Sequence, residues 1–169
     1  FFNSLNNIYA LIAINQDEAQ KAIEKLAHLM RYLIYDTDKK TVSLQKEFEF
    51  VQNYIDMMKH RLSSKVSVSV SIDQNVPSVT IPPLIFIPFI ENAFKHGISY
   101  NEKSFINIDL VQEKDFIEFK CANSLSVYKK ITNPYSGVGL ENIKKRLDLL
   151  YNKDYILRID ERDSSFEVY

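Results

Sequence analysis

The chain has 169 residues, 46% hydrophobic and 25% charged, and its net charge is −1. That length suffices for one core with a small helical addition. A general nucleic-acid binder would show a basic excess, so no nucleic-acid partner is expected. The single cysteine, Cys121, excludes an intramolecular disulfide and a cysteine-based zinc site. The longest apolar stretch, 81–90, contains three prolines and is shorter than a bilayer-spanning helix of about 20 residues. These features indicate a segment of an intracellular protein.

The first third of the chain has the pattern of two helices. Apolar residues recur at spacings of three and four at Leu5, Ile8 and Ile12, and again over 23–33. The break at 15–17 predicts an antiparallel helical hairpin over 1–37. Such a hairpin cannot bury both flanks of its apolar seam alone. We therefore expect half of a dimeric four-helix bundle, with packing against the chain's own second domain as the alternative.

The polar segment 36–40 is the predicted domain boundary, and the second domain is expected to span 41–169. Ser43 is a candidate N-cap for a long helix with one buried stripe. The members of that stripe are Leu44, Phe48, Val51, Ile55, Met58 and Leu62. The alternation over 66–72 predicts a strand with one solvated face.

The rest of the chain predicts a mixed α/β domain. Pro88 must lie in the first turn of a helix, so that helix should begin near Phe86 and end at Gly97. Further strands are expected over 106–110, 117–121, 155–159 and 166–169, with a loop over 123–136. A helix is expected over 140–151, with Ile143, Leu147 and Leu150 facing inward. Helices packed on one face of a mixed sheet, an α/β sandwich, satisfy this order.

Glycines are scarce, and they lie in two polar segments. The chain has three, whereas average usage would give about a dozen. Gly97 ends Glu91-Asn92-Ala93-Phe94-Lys95-His96-Gly97, in which Asn92, Lys95 and His96 share a helix face. An amide oxygen suits Mg²⁺, and a neighbouring lysine can balance phosphate charge. An ordinary Glu91–Lys95 surface pair followed by a capping glycine is the alternative.

The other two glycines, Gly137 and Gly139, open the last predicted helix. A Gly-x-Gly at a helix N-terminus leaves backbone N–H groups free to face an anion. Each segment is a weak signal alone. Together, separated by two strands and a long loop, they indicate a nucleotide site.

The sequence resembles the LytS/YehU-type sensor histidine kinases, whose ATPase domain belongs to the superfamily of gyrase, MutL and histidine kinases. The resemblance covers essentially the whole chain. It rests on these segments: Phe2-Asn3-Ser4-Leu5-Asn6, Leu29-Met30-Arg31-Tyr32, 44–61 with Glu47, Tyr54 and Arg61, Pro82-Pro83-Leu84 with Pro88, 91–97, and 137–142 with Arg146-Leu147. The implied fold is α+β, a helical hairpin followed by a two-layer α/β sandwich of the histidine-kinase ATPase (Bergerat) type.

The resemblance implies ATP and Mg²⁺ as cofactors and assigns site residues. Asn92 would hold Mg²⁺, and Glu91 would assist the metal or the phosphoryl transfer. Lys95 and His96 would lie near the phosphates, which Gly137, Gly139 and the N–H of Leu140 would receive. Asn123 stands where the superfamily has an acidic residue that contacts the adenine amino group, and its neighbours lack the usual glycines. Residues 124–136 would form the lid.

The implied function is the cytoplasmic kinase core of a two-component sensor. Its partners would be a second copy, through the hairpin, and the receiver domain of a response regulator. Attachment to the inner membrane would come only through segments outside this chain. The alternative is a degenerate, nucleotide-independent domain that only dimerises and docks a partner. An ATPase clamp of the gyrase or MutL kind is disfavoured, because a helical hairpin precedes the domain and nothing basic follows it.

The resemblance also locates the acceptor histidine. In the family this histidine lies four residues before the asparagine that aligns with Asn3, so we expect it to fall outside this chain. His28 and His60 do not match the acceptor position and are expected to be structural or solvated. His96 belongs to the expected nucleotide site.

Overall fold

The computed structural model of the protein describes residues 2–60, 62–74, 76–99, 102–125 and 137–169. Its elements form two compact units. The first comprises Phe1–Leu62 and Pro77–Pro83, and the second Ser63–Val76 and Leu84–Tyr169. The polar segment 36–40 predicts a different boundary, between a hairpin and a second domain, and that assignment of domains stays a prediction.

The first unit contains three helices and a two-stranded sheet. α1 spans Phe2–Ile12, α2 Gln16–Tyr35 and α3 Leu44–Lys59. β1 (Val42–Ser43) pairs antiparallel with β3 (Thr80–Ile81). α2 packs against both α1 and α3, so the predicted hairpin is confirmed. The β1–β3 pair was not predicted, because strands of two residues carry no periodic pattern.

Short polar side chains fix the starts of α2 and α3. The Asn15 side-chain oxygen accepts a hydrogen bond from the Glu18 N–H at 3.2 Å. The Ser43 hydroxyl accepts one from the Lys46 N–H at 3.4 Å. Each bond satisfies an N–H group that has no partner within its helix. The predicted cap at Ser43 is therefore confirmed.

α3 is buried more widely than the single stripe predicted for it. Four members of that stripe are at most 1% exposed: Leu44, Phe48, Val51 and Ile55. A second set of buried residues runs beside them, comprising Glu47, Phe50, Tyr54 and Met57. The expectation of one buried stripe is wrong, because α3 packs both on α2 and on the β1–β3 pair.

The second unit is built on a five-stranded mixed sheet. Its strands are β2 (Val66–Ile72), β4 (Ser104–Gln112), β5 (Ile117–Ser124), β6 (Ile159–Glu161) and β7 (Ser165–Val168). Their order is β2-β4-β5-β7-β6. The β2–β4 pair is parallel and the other pairs are antiparallel. The mixed sheet and the α+β fold class are therefore confirmed.

Among the described residues, two helices accompany this sheet, α4 (Ile87–His96) and α5 (Gly137–Tyr151). α4 packs on β4 and β5. The rings of Phe86 and Phe89 lie against the ring of Phe119, with centroids 5.2 Å and 5.6 Å away. Phe86 is the N-cap and Gly97 the C-cap, with a proline in the first turn. The predicted limits of this helix are confirmed.

The C-terminal part departs from the prediction in three ways. α5 begins at Gly137 rather than at 140, so both glycines lie inside its first turn. Of the residues expected to face inward, Leu147 is 8% exposed but Leu150 is 42% exposed. The strand expected over 155–159 is β6, which begins only at Ile159. The described helices include none that is both long enough and apolar enough to span a membrane.

Candidate functional site

α4 separates its apolar and polar residues onto different faces. The apolar face is buried and comprises Ile87, Phe89, Ile90, Ala93 and Phe94. Of the predicted site residues, Glu91 and Lys95 are exposed, and Asn92 and His96 are half-buried. Because the apolar face holds the helix on the sheet, carboxylate, amide, ammonium and imidazole groups are presented away from the core.

The end of α4 lies directly on β5. A Cβ added at Gly97 would stand 2.6 Å from the Asn123 Cβ and 2.6 Å from the Ala93 carbonyl oxygen, closer than real side chains approach. The φ of Gly97 is −81°, a value that any residue adopts, so close approach and not backbone conformation requires glycine here. The structure thus brings the segment 91–97 into contact with Asn123, the residue expected to meet adenine.

Asn123 is buried but retains hydrogen-bonding capacity. Its side chain is 2% exposed, and its Nδ2 donates to the Ser124 carbonyl oxygen at 2.9 Å. Its side-chain oxygen accepts no hydrogen bond from any described residue. A carboxamide oxygen in that state can accept a hydrogen bond from an amino group of a ligand.

The Ser124 hydroxyl forms hydrogen bonds that hold Asn123 and the end of α4 together, a role that was not predicted from the sequence. This hydroxyl accepts from the Phe105 N–H at 2.9 Å and donates to the Gly97 carbonyl oxygen at 3.0 Å. One side chain therefore joins β4, β5 and the end of α4. Only its position next to Asn123 could have pointed to it. Ser124, the first residue of the lid expected over 124–136, lies in β5, and the part of that expected lid from 126 to 136 lies outside the described residues.

The first turn of α5 is open at Gly139. Apart from the helix's own backbone and the two chain neighbours of Gly139, no atom of the described residues lies within 4 Å of the position that a Cβ there would take. Gly139 is exposed and Leu140 is half-buried. The first N–H groups of a helix have no intrahelical acceptor and carry the positive end of its dipole. A helix start of this kind can receive an anion.

One hydrogen bond connects α5 with the residues that precede α4. The Arg146 Nη1 donates to the Leu84 carbonyl oxygen at 3.2 Å. In the part of the chain that the structure describes, no hydrogen bond joins Asn92 or Asn123 to Gly139. The site therefore consists of two groups: α4 with Asn123, in direct contact, and the first turn of α5.

The titratable residues elsewhere in the described ranges form no second candidate metal site. No three His, Cys, Asp or Glu side chains converge as a metal site within the described ranges. A magnesium site of the expected kind needs few protein ligands, because phosphates and water fill the remaining positions. Burial raises the pKa of the Cys121 thiol to about 12, so this neighbour of Asn123 stays protonated near neutral pH. His28 and His60 are both exposed.

Comparison with known proteins relates the chain to the histidine kinases in sequence and in fold. The sequence model of the histidine kinase family matches residues 1–66. The histidine kinase domain of the blue-light activated histidine kinase of Erythrobacter litoralis EL346 shares the fold. It has a TM-score of 0.54 at 12% identity, over 94% of this chain and 83% of that domain. The chain therefore shares its fold with a histidine kinase domain.

The curated relatives that match most of this chain are sensor proteins. Sensor protein LytS of Staphylococcus saprophyticus is 29% identical over 171 residues, covering 94% of this chain and 29% of that protein. Sensor histidine kinase BtsS of Escherichia coli K12 is 28% identical over 155 residues, covering 91% of this chain and 27% of that protein. The chain thus spans less than a third of the relatives it matches. These matches confirm its resemblance to the sensor histidine kinases.

Proposed function

We propose that this chain is the ATP-binding kinase core of a two-component sensor. The reaction is transfer of the ATP γ-phosphoryl group to a histidine, and from there to an aspartate of a response-regulator receiver domain. The observation that carries the proposal is the contact of Gly97 with Asn123. That contact sets the polar face of α4 beside a buried amide whose oxygen accepts no hydrogen bond from the residues that the structure describes.

The residues present fit ATP and Mg²⁺. Asn92 would hold the cation with Glu91 assisting, and Lys95 and His96 would lie near the phosphates. Gly137, Gly139 and the N–H of Leu140 would receive the phosphates at the open first turn of α5. Asn123 would accept a hydrogen bond from the adenine amino group. The bound nucleotide supplies the transferable phosphoryl group, and the cation offsets its charge.

Removal of the Asn92 amide should abolish magnesium-dependent nucleotide binding. Asn92→Ala is expected to leave the fold intact, because a half-buried polar side chain outside the apolar face contributes little packing. The measurement is calorimetric titration with a non-hydrolysable ATP analogue, with and without Mg²⁺. Asn107→Ala, which removes an exposed asparagine of β4, is the matched control and should bind like the parent. Equal affinities for the parent and Asn92→Ala would show that the metal assignment is wrong.

The same titration separates the proposal from its alternative. The segment Cys121-Ala122-Asn123-Ser124 lacks the glycines usual at this position in the superfamily, which leaves a nucleotide-independent docking domain as the alternative. If the parent chain binds no nucleotide with or without Mg²⁺, that alternative replaces the kinase.

Incubation with labelled ATP and Mg²⁺ tests where the acceptor histidine lies. We propose that the acceptor histidine precedes Asn3, outside this chain. The 169-residue chain should then acquire no acid-labile phosphate, whereas a longer chain that includes the upstream residues should. Stoichiometric acid-labile label on the 169-residue chain would contradict this part of the proposal. Attachment to the inner membrane, proposed for the full-length sensor, is tested by fractionating cells that express it.

The hairpin is proposed to form a homodimer. Each of its helices exposes apolar residues at helical spacing, between 40% and 80% exposed: Leu5, Tyr9 and Ile12 on α1, and Ile23, Met30 and Ile34 on α2. Pairing with a second hairpin would bury them. Sedimentation equilibrium should give the mass of two chains, and Ile34→Glu should give the mass of one. Phe116→Glu, which changes a similarly exposed residue of the second unit, should remain dimeric. A parent that stays monomeric at high concentration would contradict the proposal.

A further inference from the structure

We infer that Arg146 is a positioning residue that holds the phosphate-binding turn of α5 in place by donating to the Leu84 carbonyl. This inference rests on the proposed function. The resemblance places Arg146 in a matching segment but gives it no task, and Arg146 is exposed. Substitutions of exposed side chains usually change stability by only about 0.5 kcal/mol, so a large effect on binding would not follow from loss of folding.

The contacts that the structure describes for α5 lie in its C-terminal half. Of its side chains from Gly139 onward, only Leu147 is buried, and Leu149 is 86% exposed. The Tyr155 hydroxyl also donates to Asp148 Oδ1 at 2.9 Å, but Tyr155 itself follows α5 in the chain. The hydrogen bond from Arg146 to Leu84, 3.2 Å long, joins α5 instead to the segment before α4 and so restricts its tilt relative to that segment.

The hydrogen bond from Arg146 leaves α5 on the same face that carries Gly139. Arg146 follows Gly139 by seven residues, close to two full turns, so both lie on the same face of α5, about 10 Å apart along its axis. The tethered face is therefore the face on which the open glycine lies. An error in the angle of the helix would displace the N–H groups of that first turn.

The acceptor of the bond is also unusual. Leu84 has a φ of +58°, in the left-handed region that costs a leucine about 1–2 kcal/mol. Such strain persists only where the surroundings enforce it, and it concentrates at functional positions. Leu84 lies three residues before α4, the helix of Asn92. Its carbonyl therefore links the helix assigned to the metal with the helix assigned to the phosphates.

The test compares Arg146→Ala with Lys145→Ala, which removes the same charge from an exposed neighbour on α5. For Arg146→Ala, we expect the dissociation constant of the magnesium–ATP analogue to rise by about five- to tenfold, the equivalent of one hydrogen bond, at an unchanged melting temperature. Lys145→Ala should bind like the parent. Arg146→Lys, which keeps a donor, should recover part of the affinity. An equal loss in both alanine variants would reveal a general charge effect and overturn the inference.

Hydrogen exchange of the free protein gives a second readout that needs no nucleotide. Amides in the first two turns of α5 should exchange faster in Arg146→Ala than in Lys145→Ala. If the parent binds no nucleotide, the proposed function fails, and this exchange measurement still decides whether Arg146 holds α5. Unchanged exchange together with unchanged affinity would overturn the inference while leaving the proposed function standing.

Discussion

Replacing Gly97 by alanine is expected to destabilise the second unit by about 1–3 kcal/mol, the usual cost of forcing an extra methyl group into a packed site. The new Cβ would stand 2.6 Å from the Ala93 carbonyl oxygen and 2.6 Å from the Asn123 Cβ. One of these atoms belongs to the backbone and the other is the first atom of a side chain on a strand. Neither can rotate away, so α4 or β5 must shift.

That shift should also impair nucleotide binding. The residue displaced is Asn123, whose amide is proposed to recognise adenine, and the Ser124 hydroxyl that bonds the Gly97 carbonyl at 3.0 Å would move with it. We therefore expect Gly97→Ala to lower both the melting temperature and the affinity for the ATP analogue. Hydrogen exchange should localise the loss of protection to α4 and β5.

Gly139→Ala is the matched control for this prediction. No described residue beyond its own helix neighbours lies within 4 Å of its added Cβ, and alanine is favoured over glycine within a helix by about 1 kcal/mol. Its stability should equal or exceed that of the parent. If Gly97→Ala melts at the same temperature as Gly139→Ala, the close packing of α4 on β5 does not exist in solution.

The features predicted correctly from sequence are those that neighbouring residues determine. The cap at Ser43 depends on an N–H three residues away, and the limits of α4 follow from the missing N–H of Pro88 and from Gly97. The strand over 66–72 follows from strict alternation. Each of these signals lies within one turn or one strand, so a single sequence suffices to read them.

The features that the sequence could not supply depend on distant residues. Arg146 and Leu84 are 62 positions apart in the sequence. The positive φ of Leu84 could not be predicted either, because leucine rarely adopts that conformation. Burial of Glu47 contradicts the usual exposure of carboxylates, and it follows only from the packing of α3 against α2. Residues that matched a family motif without an assigned role, Arg146, Tyr32 and Glu47, proved to make tertiary hydrogen bonds.

Replacing Tyr32 by phenylalanine is expected to destabilise the first unit by about 1–3 kcal/mol, the cost of removing a partner from a buried polar group. The Tyr32 hydroxyl donates to Oε2 of Glu47, which is 0% exposed. The Tyr32 ring also packs on Phe50, with centroids 4.4 Å apart, and a phenylalanine retains that contact. The substitution therefore removes the Tyr32 donor from a buried carboxyl group and keeps the ring contact.

Tyr35→Phe makes the same chemical change on the same helix at a side chain that is 68% exposed. It should alter stability by less than about 0.5 kcal/mol. Urea unfolding gives the size of the difference, and hydrogen exchange should place it in α2 and α3, away from the β2-β4-β5 sheet. Glu47→Gln introduced into Tyr32→Phe should recover part of the loss, because a neutral amide is less costly to bury than a carboxylate.

This double variant decides what the bond contributes. Recovery would show that the loss in Tyr32→Phe comes from leaving Glu47 short of a donor, and so that the bond fixes α3 against the hairpin. If Tyr32→Phe unfolds at the same urea concentration as Tyr35→Phe, the bond contributes nothing to stability. α3 ends at Lys59, and the second unit begins at Ser63. Loss of the Tyr32–Glu47 bond would therefore loosen the packing of the hairpin on α3, the helix that precedes the proposed catalytic unit in the chain.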